Sequence, residues 1–566
     1  MPVRMRFSVQ RSRDSSGREN HSAKDACASC PNSACAVTFV NVTHSKIFFK
    51  YLIVAVLALF AVNASGAPPD LPKVPASVES ITPTELRMHL EFLASPELGG
   101  RYTLSPSFSI AARYLASRLK AYGFHGAGDH GDFLQSFEVI SSRPDVAKTS
   151  LTVTLGGATT NHGFGEVYPS GGNGGAEGQV VFVGRGISSP SQHHDDYAGL
   201  DVKGKIVLLA PAARNVPGID PSKLGDNESG PEAARAHGAV GFLALPPQQF
   251  AARMQSKDFQ NLIAARESVR LAKSVEGRLP GLTVGPDVAD KLLAPLGLTL
   301  KAVSEAKEFQ PKAVDVTVRL VAGFQQERQK TQNVVGVLEG TDPNLKNEYV
   351  AFSAHYDHLK TNADGIYPGA DDDGSGTTAI LAIAHAISLE RPKRSVMIIF
   401  HAGEELGLLG SEYNTDYSPA VPLSNLVVDL NIDMIGRSKP PADTDKADEH
   451  LTGPHTIYLV GADRISSELN RISESTNKDF QKLQLDYYYN DPNNPERIYF
   501  RSDHWNYAKH GIPIIFYFDG VHVDYHKHTD TVDKIDFNKM AEVTRLVFET
   551  GWRIANLDHR LVIAKN

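Results

Sequence analysis

Cysteine is scarce in this 566-residue chain. The three cysteines present are Cys27, Cys30 and Cys35, all near the N-terminus. Cys27 and Cys30 form a single Cys-x-x-Cys without the second pair that a structural zinc site needs, so they do not indicate such a site. If the chain is cleaved after Ala67, the mature protein has no cysteine and no disulfide. Its stability must then come from its size and a packed core.

A long membrane-spanning run is also missing near the N-terminus. The apolar run Tyr51–Val62 is shorter than the roughly 20 residues that a transmembrane helix needs. Basic residues precede it and the small residues Ala64–Ala67 follow it, which is typical of a secretory signal. We therefore expect a secreted or periplasmic protein, with an uncleaved membrane anchor as the alternative. Because residues 1–45 would be a long tail before a signal, we also expect translation to begin near Val42.

Positive charge is in deficit after the signal. Residues 1–67 carry eight Lys and Arg against three Asp and Glu, which leaves 49 basic and 62 acidic side chains in the remainder. The formal charge becomes −13, against −8 for the whole chain. A chain of that sign is not expected to bind nucleic acid.

Two hydrolase motifs are absent. The sequence has no Gly-x-Ser-x-Gly elbow, and Ser375 within Asp373-Gly-Ser-Gly is better explained as the small-residue entry to a helix. No His-Glu-x-x-His occurs, which argues against the helical single-zinc proteases. These absences disfavour two large classes of hydrolase.

The composition, with 41% hydrophobic and 22% charged residues, is that of a globular protein long enough for at least two folded units. We divide the chain into an N-terminal extension with signal (1–67), a first part of the main domain (68–146), an insert (147–325) and the rest of the main domain (326–566).

Thr82, Pro83 and Glu85 have the spacing of a helix N-cap, first position and capping-box partner.

The insert is rich in glycine and in short apolar runs. Two of its segments, Asp201–Val207 and Ala234–Gly241, resemble the protease-associated (PA) domain. This resemblance implies a compact β-rich module, although another small α/β module could carry similar strands.

The last part of the chain alternates strands and helices. Continuous apolar runs of strand length occur at Val350–Ala354, Val396–Phe400, Leu426–Asp433 and Ile512–Phe518. Such runs are typical of strands buried on both faces. We predict an α/β fold with a mixed, mostly parallel sheet flanked by helices. Ligands of such sheets bind beyond the carboxyl ends of the strands.

Histidines and carboxylates follow several of these strands. A zinc-dependent hydrolytic site needs imidazole and carboxylate ligands, and a two-metal site needs a carboxylate that bridges both ions. Five side chains fit that requirement: His355, Asp371, Glu405, Asp433 and His526. Glu404 is adjacent to a candidate ligand and is free to transfer protons as a general base.

These separated segments, in this order, resemble the M28 family of zinc metallopeptidases, and the resemblance covers about Ser80 to Asn556. It implies two Zn²⁺ per chain, with Asp371 as the bridge and Glu404 as the catalytic base. The remaining ligands would be His355 and Asp433 for one zinc, and Glu405 and His526 for the other.

The resemblance also implies roles around the ligands. Asp357 would orient the imidazole of His355, and Tyr499 would donate a hydrogen bond to the oxyanion. A cis peptide is expected after the bridging aspartate, between Asp371 and Asp372. The nearby Asp503 and His504 are expected to be structural or to support the ligands without binding metal, because all ligand positions are already filled.

Three further histidines need an assignment. His528 competes with His526 for the ligand position, and the spacing to Asp530 favours His526. We expect structural roles for His358 and His401.

The resemblance therefore predicts an exported dinuclear zinc exopeptidase acting on peptides or proteins, most simply an aminopeptidase. The alternatives are a carboxypeptidase of the glutamate carboxypeptidase type, a glutaminyl cyclase-like enzyme and a non-catalytic binding scaffold. Side-chain preference and oligomeric state do not follow from these motifs.

Overall fold

The computed structural model describes residues 71–211, 216–225 and 227–564. The predicted signal, its cleavage site and the cysteines lie outside the described residues. Within the described ranges no helix is long and apolar enough to cross a membrane.

Twenty strands are present in the described part of the chain. In chain order they are β1 (His125–Gly126), β2 (Leu134–Pro144), β3 (Ser150–Leu155), β4 (Ala158–Gly163), β5 (Val167–Gly171), β6 (Gly174–Phe182), β7 (Ser188–Ser189), β8 (His194–Asp195), β9 (Ile206–Leu209), β10 (Gly241–Ala244), β11 (Ser268–Leu271), β12 (Pro280–Val284), β13 (Lys312–Ala322), β14 (Phe324–Leu338), β15 (Tyr349–His355), β16 (Ser395–His401), β17 (Leu426–Ile432), β18 (Thr456–Val460), β19 (Gln484–Asp486) and β20 (Ile514–Phe518).

The same residues form thirteen α-helices. They are α1 (Pro83–Leu93), α2 (Phe108–Ala121), α3 (Gly230–Ala236), α4 (Gln248–Met254), α5 (Lys257–Ala265), α6 (Ala272–Val275), α7 (Pro286–Leu293), α8 (Leu300–Glu305), α9 (Gly374–Leu389), α10 (Leu409–Glu412), α11 (Ser467–Asp479), α12 (His504–Ala508) and α13 (Phe537–Asn556).

The larger sheet has ten strands. Its order is β11-β2-β14-β16-β15-β17-β20-β18-β19, with β1 paired to β14. The central run from β16 to β20 is parallel, while β11, β2 and β14 add antiparallel strands on one side. On the other side β18 runs antiparallel to β20 and parallel to β19. The predicted mixed sheet is confirmed.

The central strands are buried on both faces, as their continuous apolar runs predicted. Val350 and Phe352 of β15 pack into one core with α9 and α13, whereas Ala351 belongs to a second core on the opposite face. Alternate residues of a strand point to opposite faces, so a strand covered on both sides must be apolar throughout.

The helix starts follow from side-chain caps. The Thr82 hydroxyl accepts from the Glu85 backbone N–H at 3.2 Å, and the Asp536 carboxylate caps α13 in the same way. The Glu85 carboxylate does not complete the expected capping box, because it binds His385 Nδ1 at 2.7 Å.

A second sheet of eight strands lies between β2 and β14 in the sequence, with the order β4-β3-β13-β6-β9-β10-β12-β5. It has its own apolar core on each face, including Leu208 on one side and Val207 on the other. The strand β11 comes from the same stretch of chain but joins the ten-stranded sheet by pairing with β2. The domain boundaries and the PA assignment stay predictions.

Candidate metal centre

Three neighbouring parallel strands bring the candidate residues together. His355 ends β15, Glu404 and Glu405 follow β16, and Asp433 directly follows β17. Because the carboxyl ends of parallel strands meet at one edge of the sheet, residues far apart in the sequence become neighbours there.

The first group of possible metal ligands contains His355, Asp372 and Asp433. His355 Nε2 lies 3.4 Å from Asp372 Oδ1 and 3.6 Å from Asp433 Oδ1. All three side chains are buried. One imidazole and two carboxylates are suitable ligands for zinc.

The second group contains His358, Asp372 and Glu405. His358 Nδ1 is 2.7 Å from Glu405 Oε1 and 3.7 Å from Asp372 Oδ2. His526 Nε2 adjoins the same group, at 3.2 Å from Asp372 Oδ2 and 3.1 Å from Glu405 Oε2. Asp372 is therefore shared by both groups, one carboxylate oxygen towards each.

The donor atoms of these groups are suited to a cation. Six buried atoms make no hydrogen bond of good geometry among the described residues, although His358 Nδ1 and Glu405 Oε1 are only 2.7 Å apart: His355 Nε2, both ring nitrogens of His358, Asp372 Oδ2, Asp433 Oδ1 and Glu405 Oε1. Buried polar atoms normally have a partner, and a set of such atoms facing one another is what a bound metal ion would satisfy. The residues present therefore fit two metal ions.

Asp372 belongs to both groups, whereas Asp371, the bridge predicted from the sequence, belongs to neither. Asp371 Oδ1 accepts from the Gly436 N–H at 2.7 Å, and its Oδ2 lies 3.2 Å from His522 Nε2. The Asp371 carboxylate thus faces a different loop. The expected cis peptide is likewise displaced by one residue, to Asp372–Asp373.

The three consecutive aspartates have separate contacts. The Asp530 carboxylate accepts from the backbone N–H groups of Asp371 and Asp372, which fixes both peptides. Asp373 caps α9 by accepting from the Gly376 N–H at 2.8 Å. Only Asp372 is left to project between the histidines.

Glu404 lies beside the first group without belonging to either. Its Oε2 is 3.9 Å from His355 Nε2, and its backbone N–H donates to Asp357 Oδ1 at 3.2 Å. Burial raises the pKa of Glu404 well above its usual range, and the carboxylates of Asp433 and Glu405 raise it further while His355 opposes them. A carboxyl group in this position has the environment of a proton acceptor.

Asp357 is fully buried behind His355. His355 Nδ1 donates to the Asp357 backbone carbonyl at 3.1 Å, whereas the Asp357 carboxylate is 3.8 Å away. That carboxylate accepts instead from the Thr103 hydroxyl at 2.7 Å and from the Glu404 N–H. Asp357 therefore contacts both the candidate ligand and the candidate base.

Tyr499 is not among the residues that line the cleft at the metal groups. Its ring lies under the Arg464 guanidinium, 3.9 Å from it, and packs edge-on against His504 and Trp505. The cleft contains Tyr525 instead, together with Arg501. The Tyr525 hydroxyl accepts from Arg501 Nη2 at 3.5 Å, and its ring stacks on His526.

The remaining histidines divide between the site and the core. His358 belongs to the second group, contrary to the structural role expected for it, and its signal in the sequence is its spacing of three residues from His355. His528 packs edge-on against Tyr367 and belongs to neither ligand group. His504 donates to the Tyr499 carbonyl at 2.8 Å, and burial lowers its pKa to about 3, in keeping with a structural role.

An apolar wall completes the cleft. The carboxylates of Asp372, Glu404 and Asp433 stand at one side of it. The apolar lining consists of Met434, Ile498, Phe516, Phe518 and Val521. The cleft thus combines acidic groups with an apolar wall.

Comparisons with known proteins agree with this picture. Residues 333–551 match the model of peptidase family M28. The probable leucine aminopeptidase 2 of Aspergillus oryzae is 30% identical over 244 residues, 42% of this chain and 44% of that protein. Aminopeptidase YwaD of Bacillus subtilis is 33% identical over 111 residues, 19% of this chain and 23% of that protein. The alignments span less than half the length of these relatives.

One solved structure covers more of the chain. The aminopeptidase from Aneurinibacillus sp. strain AM-1 aligns with 86% of this chain and 97% of its own, at 18% identity and a TM-score of 0.48.

Proposed function

We propose that the protein is a zinc exopeptidase that holds two Zn²⁺ ions and releases N-terminal residues from peptides, in keeping with the match of residues 333–551 to the model of peptidase family M28. The observation that carries the proposal is the sharing of Asp372 between two groups of histidine and carboxylate ligands. The ligands would be His355, Asp372 and Asp433 for one ion. Glu405 and Asp372 would hold the other, with two imidazoles beside them: His358 of the second group and His526, the histidine that the family resemblance implies.

The chemistry divides between the ions and the protein. When bound, the zinc ions would supply the Lewis acidity that makes water a nucleophile near neutral pH. Glu404 takes the proton from the attacking water and returns it to the leaving amine. Asp357 holds the Glu404 backbone and His355 in register, since it contacts both.

Stabilisation of the oxyanion is assigned to Tyr525 instead of Tyr499. A phenol at the cleft can donate a hydrogen bond to charge that develops on the scissile carbonyl oxygen. Burial raises the pKa of Tyr525 well above its usual range, and the nearby carboxylates of Asp372 and Glu405 raise it further. The hydroxyl therefore keeps its proton for donation.

The cleft also suggests which residue is removed. Its wall of Met434, Ile498, Phe516, Phe518 and Val521 favours an apolar side chain at the N-terminus of the substrate. The leucine aminopeptidase names of two relatives are in keeping with this preference.

One observation supports cleavage at the C-terminus of the peptide substrate instead of the N-terminus. Arg501 lines the cleft and is exposed, so it offers a partner for the α-carboxylate of a peptide. The second candidate is therefore a carboxypeptidase. A glutaminyl cyclase-like activity or a binding scaffold has no such observation in its favour.

Product analysis with one apolar-ended peptide in free, N-acetylated and C-amidated forms distinguishes these functions. Loss of single residues from the N-terminus, blocked by acetylation and indifferent to amidation, is expected. Release from the C-terminus would overturn the aminopeptidase, and no cleavage by zinc-loaded protein would overturn the enzyme. Export through the signal sequence, and a PA domain in residues 147–325, are parts of the same proposal.

Glu404→Gln provides the matched test of the mechanism. We expect kcat to fall by about 100-fold or more, the usual contribution of a general base. Zinc content should stay near that of the wild type, because Glu404 belongs to neither ligand group. A variant with normal turnover would contradict the assignment of the base.

A further inference from the structure

A deep cleft separates the two large sheets away from the metal groups. Its volume is about 410 Å³. Its walls come from β2, β5, β11, β12 and β14 and from the helices α4 and α5. The apolar part of the wall includes Tyr168, Pro247, Phe250 and Phe259. A cavity of this size and composition accommodates part of a peptide.

Three arginines line this cleft: Arg266, Arg270 and Arg278. Burial lowers the pKa of Arg270, and the positive charges of Arg278 and Arg266 lower it further. Among the nearby groups that act on it, only the Glu412 carboxylate opposes this effect. The wall therefore concentrates positive charge.

The guanidinium groups have hydrogen-bonding capacity to spare. Across the described ranges, no hydrogen bond or ion pair is formed by the side chains of Arg266 and Arg270. Arg278 Nε is 3.9 Å from Glu232, a long contact. Glu267, next to Arg266, is already paired with Arg143 at 2.8 Å. Guanidinium groups bind carboxylates in preference to most other partners.

The cleft adjoins a second groove that borders one residue of the second ligand group. A second groove of about 480 Å³ shares Arg266, Ser268 and Arg270 with the cleft, and it reaches Glu405 and Leu406 at its other end. It runs beside β11, whose four residues span about 13 Å at the rise of an extended chain. A peptide that lies along this groove would contact both the arginines and Glu405.

We propose that Arg266 and Arg270 bind a carboxylate of the peptide substrate, so that the cleft is an exosite for the part of the peptide beyond the scissile bond. The inference rests on the proposed exopeptidase function. The carboxylate belongs either to the C-terminus of a short peptide or to an acidic side chain. The apolar residues of the cleft then contact the neighbouring side chains of the same peptide.

The double variant Arg266→Gln/Arg270→Gln tests the exosite by steady-state kinetics. The substrates are leucine p-nitroanilide and leucyl peptides of increasing length with free or amidated C-termini. Leucine p-nitroanilide is too short to reach the arginine-lined cleft. For free peptides long enough to reach the arginines, KM should rise about 10-fold or more, because hydrogen bonds to a charged group are lost. The kcat values and the turnover of leucine p-nitroanilide should not change.

An amidated peptide with an internal glutamate distinguishes the two carboxylates. If the double variant raises KM for this peptide but not for the free C-terminus, the site exists and binds an acidic side chain. Arg253→Gln is the control, since Arg253 is exposed on α4 and is not part of the cleft lining.

Two results separate failure of the exosite from failure of the proposed function. An equal change in KM for amidated, uncharged peptides and free peptides, or no change for any peptide, would overturn the exosite. Absence of cleavage by the zinc-loaded wild type for every substrate would instead overturn the exopeptidase on which it rests.

Discussion

Replacing Asp371 and Asp372 one at a time tests which of these two adjacent aspartates bridges the metal ions. In Asp372→Asn, an amide group replaces one of two oxygens that lie 3.4 Å from His355 Nε2 and 3.2 Å from His526 Nε2. An amide NH₂ group cannot ligate zinc, so at least one ligand group loses a carboxylate oxygen. Loss of a hydrogen-bond partner outside the ligand set already costs about 10–100-fold in affinity. We therefore expect Asp372→Asn to lower the affinity for one of the two zinc ions by more than about 100-fold.

The companion variant Asp371→Asn should affect binding much less. Its Oδ1 can still accept from the Gly436 N–H, and it offers no oxygen to either ligand group. We expect zinc affinity to fall by about 10-fold or less, as for other residues outside the ligand set.

Competition with a fluorescent chelator measures the zinc affinity of both metal-depleted variants, and mass spectrometry under native conditions counts the ions. Circular dichroism of each variant controls for folding. If Asp371→Asn lost its zinc while Asp372→Asn kept two ions, the geometric assignment of the bridge would be refuted.

Two further predictions concern a catalytic hydroxyl and a buried carboxyl group. Tyr525→Phe should lower kcat about 10- to 1000-fold with little change in KM, as for loss of one oxyanion donor. Tyr499→Phe should have a kcat near that of the wild type. If steady-state assays show the larger fall in kcat for Tyr499→Phe, the sequence assignment of Tyr499 would be restored. Burial raises the pKa of Glu549 to about 8. The unfolded chain therefore loses this proton first as the pH rises, and stability falls between about pH 4.5 and pH 8. Urea unfolding at pH 5 and pH 8 should show that Glu549→Gln removes roughly 3 kcal/mol of this loss, and an identical pH slope in both proteins would contradict it.

The architecture of the main sheet was predictable because its signal is local. The uninterrupted apolar runs of β15, β16 and β17 predict strands buried on both faces, and the structure has all three with bounds within a few residues of those runs. Helix starts were predictable for the same reason, since Thr82 and Asp536 cap through contacts only three residues away. The Glu85 contact with His385 was not, because its partner is distant in sequence.

The candidate site was predictable only to the level of segments. The order of histidines and carboxylates indicates the chemistry, yet side-chain direction depends on contacts that no spacing reveals. Asp371 is turned away by Gly436, and Tyr499 lies under Arg464. His358 contacts Glu405, a residue 47 positions later in the sequence, because the neighbouring parallel strands β15 and β16 end at the same edge of the sheet.

The sequence by itself determined the class of fold, the family resemblance and the set of segments that supply the centre, because apolar periodicity and residue type are properties of the chain. Only the tertiary structure decided that Asp372 faces both ligand groups, that Tyr525 lies in the cleft at the metal groups, and that two arginines border a groove leading to Glu405. These depend on where distant backbone segments approach one another, and neighbouring aspartates of one turn contact different partners for that reason.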